Sequence, residues 1–211
     1  SKILKMIKKI KFFLLIFLIF FFINKIILSE TERPLTQEEQ RQKVLGLKDT
    51  ERDLVSVKKK KLIKEIEIGN IDKVKTFLIN NGNNINFIVD GLNPLTHAAT
   101  VNNVSVIKLF LTETEINIDV IDERGNTALI NASGKGHLEI IDYLINNGAD
   151  LNHQNKQGIT SIMKAAERSN YYVIKLLLDK NADISKSDYT GRTLREIAEN
   201  NRDKRILKLL D

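Results

Sequence analysis

The chain has 211 residues, with 33 basic and 27 acidic side chains, 3 histidines, no cysteine and a formal charge of +6. That length holds one domain of ordinary size plus appendages. The absence of cysteine excludes disulfides, thiolate nucleophiles and cysteine-ligated zinc, and His97, His137 and His153 lack the spacing of a helical metal pair.

The positive charge is local. Lys2, Lys5, Lys8, Lys9, Lys11 and Lys25 lie in residues 1–29, which contain no acid, so the remaining 27 basic residues balance the 27 acidic ones. The basic character belongs to the N-terminal segment, and nucleic acid is not an expected partner of the remainder.

Phe12 to Ile23 form an unbroken run of 12 apolar residues directly after the lysine cluster. A basic stretch followed by an apolar run shorter than about 18 residues has the form of a signal peptide or signal anchor rather than a full membrane span. Ser29 offers a cleavage position, but with Ile27 two residues earlier the preferred small-x-small pattern is only half met. Whether cleaved or retained, such a segment sends the rest of the chain across the membrane, and the positive-inside rule holds the lysines in the cytoplasm. Membrane contact is therefore expected through residues 1–29 alone.

Residues 30–57 turn charged and polar and read as a linker. Thr36 followed by Glu39 fits a capping box and predicts a short helix from Gln37 to about Leu45. Lys58 to Lys61 open a further helix that continues through Leu62, Ile63, Ile66 and Ile68, and the four lysines read as its solvated face.

From there the chain repeats. Gly91, Gly125, Gly158 and Gly191 follow one another at intervals of 34, 33 and 33, while Ile85, Ile118, Leu151 and Ile184 are each 33 apart. Within a period, Thr127, Ala128, Leu129 and Ala132 predict a short helix whose small residues admit a close neighbour. Gly136 and His137 make a turn. Leu138, Ile140, Ile141, Tyr143, Leu144 and Ile145 then place an apolar face on a second helix, closed by Asn147 and Gly148. One such hairpin cannot cover its own apolar face, whereas stacked copies can.

A unit of about 33 residues containing Asn93, Pro94, Leu95, Thr96, His97 and Ala98 resembles the ankyrin-repeat family, whose signature is T-P-L-H-x-A. The resemblance implies an all-α fold: an ankyrin-repeat solenoid of stacked helix-turn-helix units with short hairpin loops, here preceded by a hydrophobic N-terminal helix. The units fall at about 58–90, 91–124, 125–157, 158–190 and 191–211, the last as a C-terminal cap. Thr96, Ile130, Met163 and Glu196 stand where the signature has histidine, so the bonds that side chain makes between family repeats must be replaced or lost. In the last unit Leu194 comes one position early and Arg195 takes the place of the expected core leucine.

No P-loop, dinucleotide glycine cluster or Gly-x-Ser-x-Gly elbow occurs. Gly134, Lys135 and Gly136 are only a fragment of a phosphate loop and fall on the turn between paired helices. Asp119, Asp122, Asp150 and Asp183 could form carboxylate pairs, yet Asp150 and Asp183 recur at the repeat interval, which favours a structural role. No enzyme activity, cofactor or metal is expected.

Members of the family grip targets with hairpin tips and the inner face of the first helix. The resemblance therefore implies a groove contacting another protein through Leu92, Glu123, Arg124, Asn126, Lys156, Gln157, Ile159, Tyr189 and Arg192 on the hairpins. Val101, Lys135, Glu167 and Arg168 would join them from the helices. Tyr and Arg are frequent hot-spot residues, which singles out Arg124, Arg168, Tyr189 and Arg192. The expected protein is an exported, monomeric binder of bacterial type, periplasmic or secreted, acting as an effector. The alternative is a membrane-tethered scaffold or protective partner of a periplasmic protein.

Overall fold

The computed structural model describes residues 36–201 and 204–211, and the hydrophobic segment expected at residues 1–29 lies outside them. The chain divides into two compact units, residues 1–53 and 54–211. Among the described residues every regular element is a helix, accompanied by isolated β-bridges at Val89–Leu92 and Ser187–Thr193. No described helix is long and apolar enough to cross a membrane.

Helix α1 runs from Gln37 to Glu67, 31 residues. It begins where the Thr36 cap predicts, with the Gln40 N–H donating to the Thr36 carbonyl at 2.9 Å. It does not stop near Leu45, and it passes through the stretch expected to be linker. Residues 46–57 contain one glycine and no proline, so no backbone breaker ends the helix there. The stretch escaped detection because it has no core face: Val44, Leu47, Leu54 and Val57 are exposed.

In the second unit, the end of α1 pairs with α2 (Ile71–Asn80). Four further pairs follow: α3 (Pro94–Thr100) with α4 (Val104–Glu113), α5 (Ala128–Lys135) with α6 (Leu138–Asn146), α7 (Ser161–Glu167) with α8 (Tyr171–Asp179), and α9 (Leu194–Asn200) with α10 (Lys204–Leu210). Helices α3, α5, α7 and α9 pack side by side in that order; α2, α4, α6, α8 and α10 form a second layer behind them.

Each short inner helix is started by a side chain at the same register. Asn93, Thr127, Thr160 and Thr193 accept hydrogen bonds from backbone N–H groups in the first turn, which removes orphan donors from a helix of only 7 or 8 residues. Ala98, Ala132, Ala165 and Ala198, one per inner helix, are fully buried, and their small side chains let neighbouring helices approach closely. Leu95, Leu129 and Ile162 fill the next register position in the core. At that position the last unit has Arg195, which is exposed and pairs with Asp211 at 2.7 Å, while Leu194 is buried one place earlier. Ile206 is buried in α10, with Leu207, Leu209 and Leu210 partly buried against the core.

At the other end, Leu62 and Ile66 are buried on α1, and Ile68 lies beyond the helix and is exposed. Of the four lysines before them, Lys60 pairs with Asp90 at 3.1 Å and Lys59 lies 4.8 Å above the Phe87 ring.

Candidate functional site

Three of the hairpins are built by one repeated device, whereas the first has Val89 at that register and is closed by backbone bonds to Leu92. Asp122 Oδ1 accepts from the N–H groups of Arg124 (2.8 Å) and Asn126 (2.9 Å). Asn155 Oδ1 accepts from Gln157 (2.9 Å) and Ile159 (3.0 Å), and Asp188 Oδ1 from Thr190 (2.9 Å) and Arg192 (3.0 Å). A side-chain oxygen that folds the chain back onto itself needs only an Asp or Asn, which is why the 33-residue register tolerates either.

Backbone bonds then join each hairpin to the next. The N–H of Glu123 donates to the Gly91 carbonyl at 3.3 Å, Lys156 to Arg124 at 3.2 Å, and Tyr189 to Gln157 at 3.0 Å. This ladder needs a close approach at the glycines. A Cβ on Gly158, whose φ is +79°, would sit 2.6 Å from the Tyr189 nitrogen.

The ladder and the inner helices α5 and α7 enclose a groove of about 650 Å³. Arg124, Lys135, Lys156, Lys164 and Arg168 line it together with Asn131 and Gln157, and no carboxylate lines it. Among the described residues, no ion-pair partner is found for Arg124, Lys135, Lys156 or Arg168; Lys164 pairs with Glu167 at 2.8 Å. A second, smaller depression holding Glu167, Arg168 and Arg192 continues toward α9. The formal neutrality of residues 30–211 thus hides a local concentration of positive charge.

The residues expected to contact a partner separate into groups. Arg124, Asn126, Lys135, Lys156, Gln157 and Arg168 all line the main groove. Asn126 is only 6% exposed, however, and its side chain is spent on Asp122 and on Asn155, which donates to it at 2.7 Å. Ile159 is 1% exposed and belongs to the core. These two face the stack, because the hairpin turns the alternate side chains inward. Leu92 and Val101 are half-buried, and Val101 packs against the core. Glu123 is exposed on its tip, and Tyr189 is 70% exposed on the last one.

Arg192 also differs from expectation. Its guanidinium is committed to the buried carboxylate of Asp188, through Nε at 2.8 Å and Nη2 at 2.7 Å, and lies 3.8 Å from Glu167. Burial raises the Asp188 pKa, but hydrogen bonds from the Thr190 hydroxyl and from the Arg192 backbone and guanidinium, among others, outweigh it and hold the group at about 2.

Lys164 is the one cation of the groove that sequence reasoning missed, along with uncharged lining residues such as Asn131 and Asn155. It stands in register with Asn131, and a Cβ on Gly134 would lie 3.0 Å from its Cγ, so the glycine leaves room for the lysine against α5. Gly134 and Lys135 close α5, and Gly136 caps it with φ of 83°. A helix C-terminus presents carbonyls, the wrong polarity for a phosphate. The repeated aspartates are likewise absorbed by structure: Asp119 Oδ1 accepts from the Asp150 N–H at 2.9 Å, and Asp150 Oδ1 from the Asn152 N–H at 2.8 Å.

A family model described as ankyrin repeats, three copies, matches residues 62–155. No curated protein matches the chain. The hairpin device, the ladder and the inner-helix register all continue past residue 155, through Asp188, Tyr189 and Ala198.

Proposed function

We propose that the stack of ankyrin repeats serves as a protein–protein interaction module, holding a segment of another protein in the groove between its hairpin tips and α5 and α7, with no chemistry of its own. The observation that carries this reading is the contrast within the site. The repeated Asp122, Asn155 and Asp188 are used up in holding the backbone, whereas Arg124, Lys135, Lys156 and Arg168 point no charge at any described partner. Polar groups unused by the fold, gathered in a concave surface, are what a binding site needs.

The lysine cluster and apolar run of residues 1–29 support export, with the module acting outside the cytoplasm. A photoreactive amino acid placed at Gln157 in the full chain tests the groove, with the exposed Lys175 of α8 as the control position. Crosslinks to one protein from position 157 and none from 175 are expected; crosslinks from 175 alone would remove the groove assignment. N-terminal sequencing of the mature protein tests export. A start near Glu30 with the protein in the culture fluid supports a secreted effector, and a retained segment supports the membrane-tethered scaffold.

A further inference from the structure

Resting on the reading of the groove as a protein-binding site, we infer that its occupant is an extended, acidic segment of the partner, rich in Asp and Glu. Five cations line one concavity whose lining includes no carboxylate, and one of the five, Lys164, is already paired with Glu167 at 2.8 Å. Two of these have a local explanation: Lys135 ends α5 and Arg168 caps α7, where positive charge complements the helix dipole. Arg124 and Lys156 have none. They stand on neighbouring hairpin tips, directly bonded through the ladder, since the Lys156 N–H donates to the Arg124 carbonyl at 3.2 Å. Neither has an ion-pair partner among the described residues, so both charges stand available to an anionic ligand.

The character of the lining favours a peptide over a nucleic acid. No aromatic side chain lines the groove to stack a base, and the exposed Tyr189 is not part of it. The two guanidiniums suit paired contact with carboxylates, and the unengaged amide of Gln157 can both donate to and accept from a peptide backbone. The cations that line it sit in a concavity of about 650 Å³, whereas a duplex requires a broad basic face.

The test titrates the full chain with a fluorescent peptide of about ten residues alternating Glu and Ala, the same peptide with Gln for each Glu, and an oligothymidine of matched charge. The Glu peptide is expected to bind at least about tenfold more tightly than the Gln peptide and to weaken about tenfold as salt rises from about 50 to about 300 mM. Arg124→Ser combined with Arg168→Ser should cost about tenfold in affinity, with only the small fall in melting temperature expected from removing the Arg168 charge at the end of α7. If that pair fails to fold, Lys156→Gln on its exposed tip gives the same readout, and Lys175→Gln serves as the neutral control. Equal binding of the Gln peptide, unchanged affinity in the folded groove variants, or tighter binding of oligothymidine would each overturn the inference. A crosslink from position 157 to a neutral or basic segment would also overturn it while leaving the module reading intact.

Discussion

The side-chain amide of Asn170 donates from Nδ2 to the carbonyl of Ser133 at 2.8 Å, fastening the turn before α8 to the end of α5 in the preceding unit. Asn103 makes the corresponding bond to Ile66 at 2.9 Å, His137 to Thr100 at 3.2 Å, and Asn201 to Ala166. Because the acceptor in each case is a carbonyl, His137 must carry its proton on Nε2. These clasps connect successive repeats although no signature histidine is present. Thr96 bonds only within its own unit, Ile130 and Met163 are buried apolar, and Glu196 closes a capping box with Thr193.

The clasp predicts an asymmetry between two substitutions. Asn170→Ala leaves the Ser133 carbonyl without its partner and should destabilise the fold by about 1–3 kcal/mol. His137→Asn restores the side chain used at the other turns and should stay within about 1 kcal/mol of the parent. Urea denaturation of both variants checks the pair. Equal losses would mean that the ring of His137 packs rather than clasps.

Two glycines separate the cost of backbone conformation from the cost of stacking. Gly158 and Gly191 share a left-handed φ, +79° and +87°, but a Cβ on Gly191 meets nothing within 4 Å, since among the described residues no hairpin packs against it. Gly191→Ala should therefore cost only the conformational term, about 1–2 kcal/mol. Gly158→Ala adds a collision with the Tyr189 backbone and should cost about 1–3 kcal/mol more. Thermal melts of the two variants give the difference directly, and equal shifts would place the hairpin ladder in doubt.

These relationships mark what was legible in the sequence. Spacing alone located the glycines and the 33-residue register of Ile85, Ile118, Leu151 and Ile184, since every unit solves the same packing problem with the same residue types. The groove was legible only in outline. Arg124 and Arg168 were recognisable by residue type, but the burial of Asn126 and Ile159 depends on which way alternate hairpin side chains turn, and the role of Arg192 depends on a carboxylate four residues away. The length of α1 was hidden for another reason: a helix without a buried face leaves no apolar period to count.

The acid limb of stability should depend on Asp188. Its folded pKa, about 2, lies below the unfolded value of about 3.9, so its contribution is complete above about pH 4 and is lost as pH falls toward 2. Asp188→Asn should flatten that dependence while keeping the turn, because Asn155 accepts the equivalent two backbone bonds one repeat earlier. Asp188→Ala loses the turn as well and should cost about 1–3 kcal/mol at neutral pH. Melting temperatures of the three proteins between about pH 2 and 7 distinguish the charge from the hydrogen bonds. An unchanged acid limb in the Asn variant would assign it to other carboxylates.

Arg192 and Arg124 should respond oppositely to charge reversal, although both are arginines near hairpin tips. Arg192→Glu breaks two bonds to the buried Asp188 and places a carboxylate beside it and near Glu167. Since the guanidinium is half-exposed and screened by solvent, the expected loss is about 1–2 kcal/mol. Arg124→Glu breaks no side-chain bond among the described residues and separates two adjacent cations, so its stability should stay within about 0.5 kcal/mol of the parent. Its effect belongs to binding: one groove cation is removed and a repelling carboxylate introduced, which should weaken an acidic partner while the melting temperature holds. A melting temperature that falls as far for Arg124→Glu as for Arg192→Glu would show that Arg124 also serves the fold, and the groove would then keep fewer free cations than its binding role needs.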